Sequence, residues 1–221
     1  MLVGKIAREK NVRSLVHVSA IGADANSKSL YASSKGLGET YIRDEFEKTV
    51  ILRPSVIFGP DDNFFNRFAN LAAFAPFLPL IGGGTTKFQP VYVQDVASAI
   101  MVALEDSAKV GNDYELGGPS IYSFRELLEL LEKHTLRKRA LVNIPFFLAS
   151  LQAKFLEILP NPPLTRDQVQ LLKTDNIVSQ DALTLRDLGI SPTSCEAVLP
   201  TYLDRFRPGG RYNRSRLTTS S

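Results

Sequence analysis

Apolar runs spaced by helix-length segments constrain this chain more than any other feature. "RSLVHVSAIGA" (13–23) and "TVILRPS" (49–55) are near-continuous, rich in β-branched residues and bounded by turn formers. Runs of that kind suit parallel strands covered on both faces. A third strand is expected in "NDYELGG" (112–118), which ends in glycines. Between them lie patterns of helical period. Leu30 to Glu47 reads as a helix with Ser29 as N-cap, and "QDVASAIMVALEDS" as another, with Asp95 near its positive end. "YSFRELLELLEKHT" carries Ser123 and Glu126 at capping-box spacing. Strands alternating with helices imply an α/β fold with a parallel sheet and helices on both faces.

Further along, "RALVNIP" reads as a short strand, "PFFLASLQAKFLEILP" as a helix, and Thr165 as a helix start after Pro162 and Pro163. "FANLAAFAPFLPLI", interrupted by Asn70, Pro76 and Pro79, reads as a buried or interfacial segment. Gly36 and Gly38 are unusual inside a helix and point to close packing. "GGGTT" at 82–86 reads as a turn. The organisation expected is a Rossmann-like region over 1–142, a small helical region over 143–208 and a disordered basic tail over 209–221.

Composition narrows the function. The net charge of +3 is small and the clear basic concentration is terminal, which argues against nucleic-acid binding. One cysteine, Cys195, excludes an internal disulfide and suits a reducing compartment. His17 and His134 stand far apart without a Cys/His cluster, so they read as structural or solvated and no metal site is expected. The N-terminus has no signal-peptide pattern, and no run is long enough to span a membrane.

In "SLYASSKGLGET", Tyr31 stands four residues before Lys35, one helical turn apart on one face. A phenol is a poor acid-base group at neutral pH, and a neighbouring ammonium lowers its pKa. The ammonium can also donate to ribose hydroxyls, and a serine hydroxyl at a strand end can polarise a carbonyl. The competing reading is a pair of surface side chains, since Tyr-x-x-x-Lys arises readily by chance. Position favours chemistry: the pair opens a helix twelve residues after Ser19, at the strand end where α/β folds place their sites.

"LVHVSAIGA…SLYASSKGLGE…VILRPSVIFGP" resembles the extended and atypical branches of the short-chain dehydrogenase/reductase superfamily. The resemblance implies catalytic roles for Ser19, Tyr31 and Lys35. It also implies a dinucleotide, NADP or NAD, contacted by Tyr31, Lys35, Pro54, Ser55 and Val56. "GPDDNFFNRFA", "FQPVYVQDVA", "YELGGPSIYSFREL", "PPLTRDQVQLLKTDN" and "RFRPGG" narrow the resemblance. They are similar to the NADPH-binding accessory subunit family of respiratory complex I and its alphaproteobacterial homologues. That implies complex I subunits as partners, and a place at the matrix side of the mitochondrial inner membrane or in the bacterial cytoplasm. Two functions follow from it: a nucleotide-binding accessory or assembly protein, or an active NAD(P)-dependent oxidoreductase or epimerase. A third is a fragment with neither activity.

No G-x-G-x-x-G or G-x-x-G-x-x-G occurs in these residues. The turn that would hold a pyrophosphate at a helix N-terminus is therefore missing. The chain reads as the C-terminal part of a longer protein without its first βαβ units. By itself it is expected to be poorly soluble or to bind a dinucleotide very weakly. Two surface readings remain open. Phe147, Leu151, Phe155 and Ile158 share one helical face, either packed on their own domain or docking on a partner or a membrane surface. Arg205, Arg207, Arg211, Arg214 and Arg216 read as a solvated basic end or as a contact for an acidic partner or anionic lipid.

Overall fold

The computed structural model describes residues 2–160 and 162–209. The expected tail beyond Gly209 lies outside the described residues. Along the chain run α1 (Leu2–Glu9), β1 (Leu15–Val18), α2 (Leu30–Glu45), β2 (Thr49–Pro54), β3 (Ile57–Phe58), α3 (Phe65–Phe74), β4 (Phe77–Ile81) and β5 (Lys87–Phe88). Then come β6 (Val91–Tyr92), α4 (Val93–Glu105), β7 (Asp113–Leu116), β8 (Tyr122–Ser123), α5 (Phe124–Thr135), β9 (Ala140–Ile144), α6 (Phe146–Leu156), α7 (Arg166–Leu171) and α8 (Cys195–Leu203). They fall into two compact units. The first comprises Met1–Val56, Gln89–Pro119 and Asn176–Thr193; the second comprises Ile57–Phe88, Ser120–Asp175 and Ser194–Ser221.

The first unit is built on a parallel sheet of order β1-β2-β7. Its register pairs His17 with Ile51 and Val18 with Leu52, and then Ile51 with Asp113 and Arg53 with Glu115. Strand alternation therefore gives the sheet two unlike faces. Val50, Leu52, Tyr114 and Leu116 pack with Val96, Ala99 and Ala103 of α4 into a dry core. His17, Arg53, Asp113 and Glu115 belong to the other face, which α2 covers through Gly38 and Glu39. A charged sheet face is tolerable there because Arg53 pairs with Asp113 on the sheet and with Glu39 on the helix above it.

The start of α2 is fixed locally. Ser29 Oγ accepts from the Ala32 amide at 3.2 Å, the cap its sequence implies. Of the two helix glycines, Gly36 is the one that close approach demands. A Cβ there would lie 2.3 Å from the Ala25 amide nitrogen, whereas at Gly38 the nearest atom, His17 Nε2, is 3.6 Å away.

In the second unit, β4 and β9 pair in parallel and β5 and β8 antiparallel. β4 is a strand inside the stretch read only as buried or interfacial. Pro79 obscures it in sequence, yet a strand paired on one side accommodates a residue that cannot donate. Phe64, Phe65, Phe68, Phe88 and Phe124 form an aromatic cluster of mostly edge-on contacts. The capping box implied by sequence forms between Ser123 and Glu126, and the helix start at Thr165 is built as a second box with Gln168. α8 was not evident in sequence, where Pro200 masks it. Two arginines of the basic end are structural. Arg205 donates to Pro60 O and Asn66 Oδ1, and Arg207 Nε to His134 O.

Candidate functional site

Tyr31 and Lys35 emerge one turn apart from the first half of α2. The Lys35 ammonium lies over the Tyr31 ring, 5.9 Å from its centroid. Its Nζ also donates to the Val18 carbonyl at 3.3 Å, pinning the side chain to the C-terminal end of β1. The ring is half exposed. Burial of its inner part pushes the phenol pKa up. This departs from the lowering expected of a nearby ammonium. The cation stacks on the ring and bonds a backbone carbonyl, so desolvation is what dominates at the phenol.

Ser19 is buried just past β1, where its amide donates to Leu52 O at 2.7 Å. Two residues beyond His17, it shares the face beneath α2. Its hydroxyl lies against the Glu39 carboxyl and helps to hold that group down, but it sits outside hydrogen-bond geometry of any described neighbour. Burial pushes Glu39 up, and the Arg53 hydrogen bonds, helped by the nearby Ser19 hydroxyl, outweigh it, leaving the carboxyl lowered. Arg53 Nη2 also reaches Asp113 at 3.0 Å, and Arg43 pairs with the same carboxylate. The structure thus brings Tyr31 and Lys35 together and sets the Ser19 side chain beside the ionic network under the helix.

The segment Pro54, Ser55 and Val56 leaves β2 at the same sheet end. The Pro54 carbonyl accepts from the Ile21 amide at 3.0 Å, and the Ser55 amide donates to Leu116 O at 2.9 Å. One residue that sequence reasoning passed over organises the segment. Asn176 Oδ1 accepts from Ser55 Oγ at 2.7 Å and from the Val56 amide at 3.2 Å, while its Nδ2 donates to Ile21 O at 3.3 Å. Gln89 does the same for the β7 end, donating to Gly118 O at 2.8 Å and accepting from the Val178 amide at 3.0 Å. No spacing signals either residue, since their partners lie far off in sequence. Glu39 was more accessible, standing one turn beyond Lys35 on the same face.

These residues fit part of a dinucleotide. An aromatic face, an ammonium and strand-end polar groups converge where a nicotinamide and its ribose could rest. Nothing comparable is present for the pyrophosphate among the described residues. Gly82 and Gly84 belong to a closed turn in the second unit, where added Cβ atoms would lie 2.2 Å from the Phe146 ring and 2.4 Å from Leu80.

A family profile described as "NAD dependent epimerase/dehydratase family" matches residues 7–117. The chain is 36% identical over 205 residues to mitochondrial NADH dehydrogenase [ubiquinone] 1 alpha subcomplex subunit 9 of Arabidopsis thaliana, covering 88% of this chain and 51% of that one. It is 34% identical over 207 residues to the Mus musculus protein of the same name, covering 93% and 55%. The chain therefore spans about half the length of the curated relatives it matches. Among solved structures, a Thermotoga maritima UDP-glucose 4-epimerase with UDP-glucose superposes with TM-score 0.65 at 18% identity, covering 98% of this chain and 68% of that one. A Thermus thermophilus UDP-glucose 4-epimerase in complex with NAD gives 0.62 at 19% identity, covering 92% and 67%.

Proposed function

The chain belongs to the NAD dependent epimerase/dehydratase family, and from that premise we propose that it forms the nicotinamide-side portion of an NAD(P)-binding accessory or assembly protein of NADH dehydrogenase. The carrying observation is the Tyr31–Lys35 stack pinned to the end of β1. In this reading Lys35 donates to the nicotinamide ribose, the Tyr31 phenol meets the ribose or a carbonyl, and Pro54, Ser55 and Val56 line the nicotinamide. A bound nicotinamide would supply hydride chemistry. The residues present supply orientation and the exclusion of water on one side. The dinucleotide is NAD or NADP, and its pyrophosphate is held by groups outside these residues. Its place is the matrix side of the mitochondrial inner membrane, or the cytoplasmic side in a bacterium, alongside complex I subunits. The names of the relatives, mitochondrial NADH dehydrogenase subunits, support the mitochondrial part of that reading.

The accessory role is favoured over catalysis by two features. The Tyr31 phenol is pushed up, away from a readily formed phenolate, and the Ser19 hydroxyl lies against Glu39. The rival is an NAD(P)-dependent oxidoreductase or epimerase using Ser19, Tyr31 and Lys35, which keeps its basis in the intact Tyr31–Lys35 pair. Affinity purification of the tagged chain from detergent-solubilised membranes of its source separates the two. The accessory reading expects NADH dehydrogenase subunits to co-purify with both the unsubstituted chain and Tyr31→Phe. It also expects Lys35→Ala to lower the dinucleotide carried along, measured by chromatography against NAD and NADP standards. Absence of those subunits, together with carbonyl reduction or epimerisation that Tyr31→Phe abolishes, would favour the enzyme instead.

A further inference from the structure

Arg137, Arg205 and Arg207 of the second unit line one cavity of about 70 Å³, together with Asn70, Phe74 and Phe206. That volume is several times what a single water needs. Each arginine follows the end of a helix and is tethered there. α5 stops at Leu136, whose φ of 55° turns the chain out of the helix. Arg137 Nε then donates to Phe206 O at 2.6 Å. Past α8, Arg207 Nε donates to His134 O at 2.9 Å. Arg205 lies over the Phe206 ring, 5.0 Å from its centroid, and its Nη2 donates to Pro60 O at 3.0 Å and to Asn66 Oδ1 at 2.6 Å. These tethers use one side of each guanidinium. Both Nη atoms of Arg137 and Arg207, and Nη1 of Arg205, have no hydrogen-bond partner among the described residues.

The three charges are not met within the unit. No described carboxylate forms an ion pair with any of them, and the acceptors they do have are neutral carbonyl and amide oxygens. Arg205 Nε is buried with no hydrogen-bond partner among the described residues. Guanidiniums stay protonated, so three around one small cavity repel one another unless they share an anion. A carboxylate has two oxygens and saturates one guanidinium fork. A phosphoryl group carries up to two charges and three acceptor oxygens, enough to engage several forks at once. The lining therefore suits phosphate, or the phosphoryl group of a small ester, better than an acidic side chain. Asn70 and Phe74, both exposed at the rim, leave one side open for the rest of such an ester.

We propose that this cavity binds phosphate, or the phosphoryl group of a small phosphomonoester, through Arg137, Arg205 and Arg207. The site lies within the second unit and does not rest on the proposed cofactor role. Isothermal titration of the full chain with inorganic phosphate and with glycerol 3-phosphate, at constant low ionic strength, tests it. Saturable binding is expected, with the two ligands competing and affinity falling as sodium chloride is raised. The tighter of the two identifies the source, free ion or ester. Arg137→Gln and Arg207→Gln should each weaken binding about tenfold. Those arginines also tether the chain, so Asn70→Asp supplies a reading that folding does not confound. Asn70 is exposed, and a carboxylate there should weaken phosphate about tenfold while keeping or raising the melting temperature. Arg125→Gln removes an exposed cation of the same unit outside the cavity, and should change affinity by less than about twofold. Three results would overturn the proposal: no saturation by about 10 mM of either ligand, binding unchanged by Asn70→Asp, or an equal loss in Arg125→Gln.

Discussion

Arg53 grips both carboxylate oxygens of Glu39, Nε to Oε1 at 2.9 Å and Nη2 to Oε2 at 2.6 Å, across the gap between β2 and α2. Both side chains are mostly withdrawn from solvent, and a parallel two-point contact fixes angle as well as distance. The pair holds the helix carrying Tyr31 and Lys35 at one height on the sheet. Removing one partner strands a partly buried charge. Glu39→Gln and Arg53→Met are each expected to lower unfolding stability by roughly 2 kcal/mol. Chemical denaturation of the two single variants and the double variant checks this. The double should cost clearly less than the two singles together, because neither charge is then left behind.

Acid should destabilise the first unit in two stages. His17 is lowered from its ordinary 6.5, by burial first and by the Lys35 charge second, so the folded protein prefers it neutral. The unfolded chain then binds the extra proton, and stability falls as pH drops below that ordinary value. Glu39 is lowered from its ordinary 4.5. Its contribution is complete above that value and is lost as pH falls through the folded pKa. His17→Asn should flatten the melting temperature between about pH 7 and 5.5, while Glu39→Gln should flatten the more acidic limb and leave the first in place. A His17→Asn profile with an unchanged slope over that range would count against the first stage.

Much of the fold was legible because its signals are local. The β-branched runs, the Ser29 cap, the Ser123–Glu126 capping box and the helix start at Thr165 depend on neighbours within a few residues, and all of them form. The pairing of Tyr31 with Lys35 was legible for the same reason, since a helical turn makes i and i+4 neighbours. What sequence could not convey was direction and distance. Which way Ser19 faces depends on the strand register against β2, and Asn176 reaches partners more than a hundred residues away. β4 and α8 were hidden by prolines whose cost depends on whether a neighbouring strand or turn needs the missing N–H. The boundary drawn near residue 142 reflects local composition, whereas the compact units follow contacts and interleave along the chain.

Gly36 and Gly38 should answer oppositely to alanine. At Gly36 the new methyl would meet the backbone of Asp24 and Ala25 at 2.3 to 2.8 Å, and backbone cannot swing aside as a side chain can. Gly36→Ala should cost roughly 2 kcal/mol or more and push the 24–25 loop off the helix. At Gly38 the methyl meets only the His17 ring at 3.6 Å, an ordinary contact. Gly38→Ala should be neutral or stabilising by up to about 1 kcal/mol, through helix propensity. Thermal melts of both variants decide the matter, and equal losses would refute the packing argument.

Asn176 offers the sharpest separation between donor and acceptor roles at the candidate site. Its Oδ1 holds Ser55 and Val56, and its Nδ2 holds Ile21, so one amide ties the β2 exit to the loop leading into α2. Asn176→Asp keeps both acceptor bonds and loses the donor, leaving a carboxylate oxygen facing the Ile21 carbonyl. Asn176→Leu loses all three and leaves the Ser55 hydroxyl and the Val56 amide without this partner. The expected losses are about 1 kcal/mol for the first and about 3 kcal/mol for the second. Amide hydrogen exchange gives the local readout. The Val56 amide, bonded only to Asn176 among the described residues, should exchange much faster in Asn176→Leu and nearly unchanged in Asn176→Asp. If both variants expose Val56 equally, the segment is held by its strand neighbours and Asn176 is not its latch.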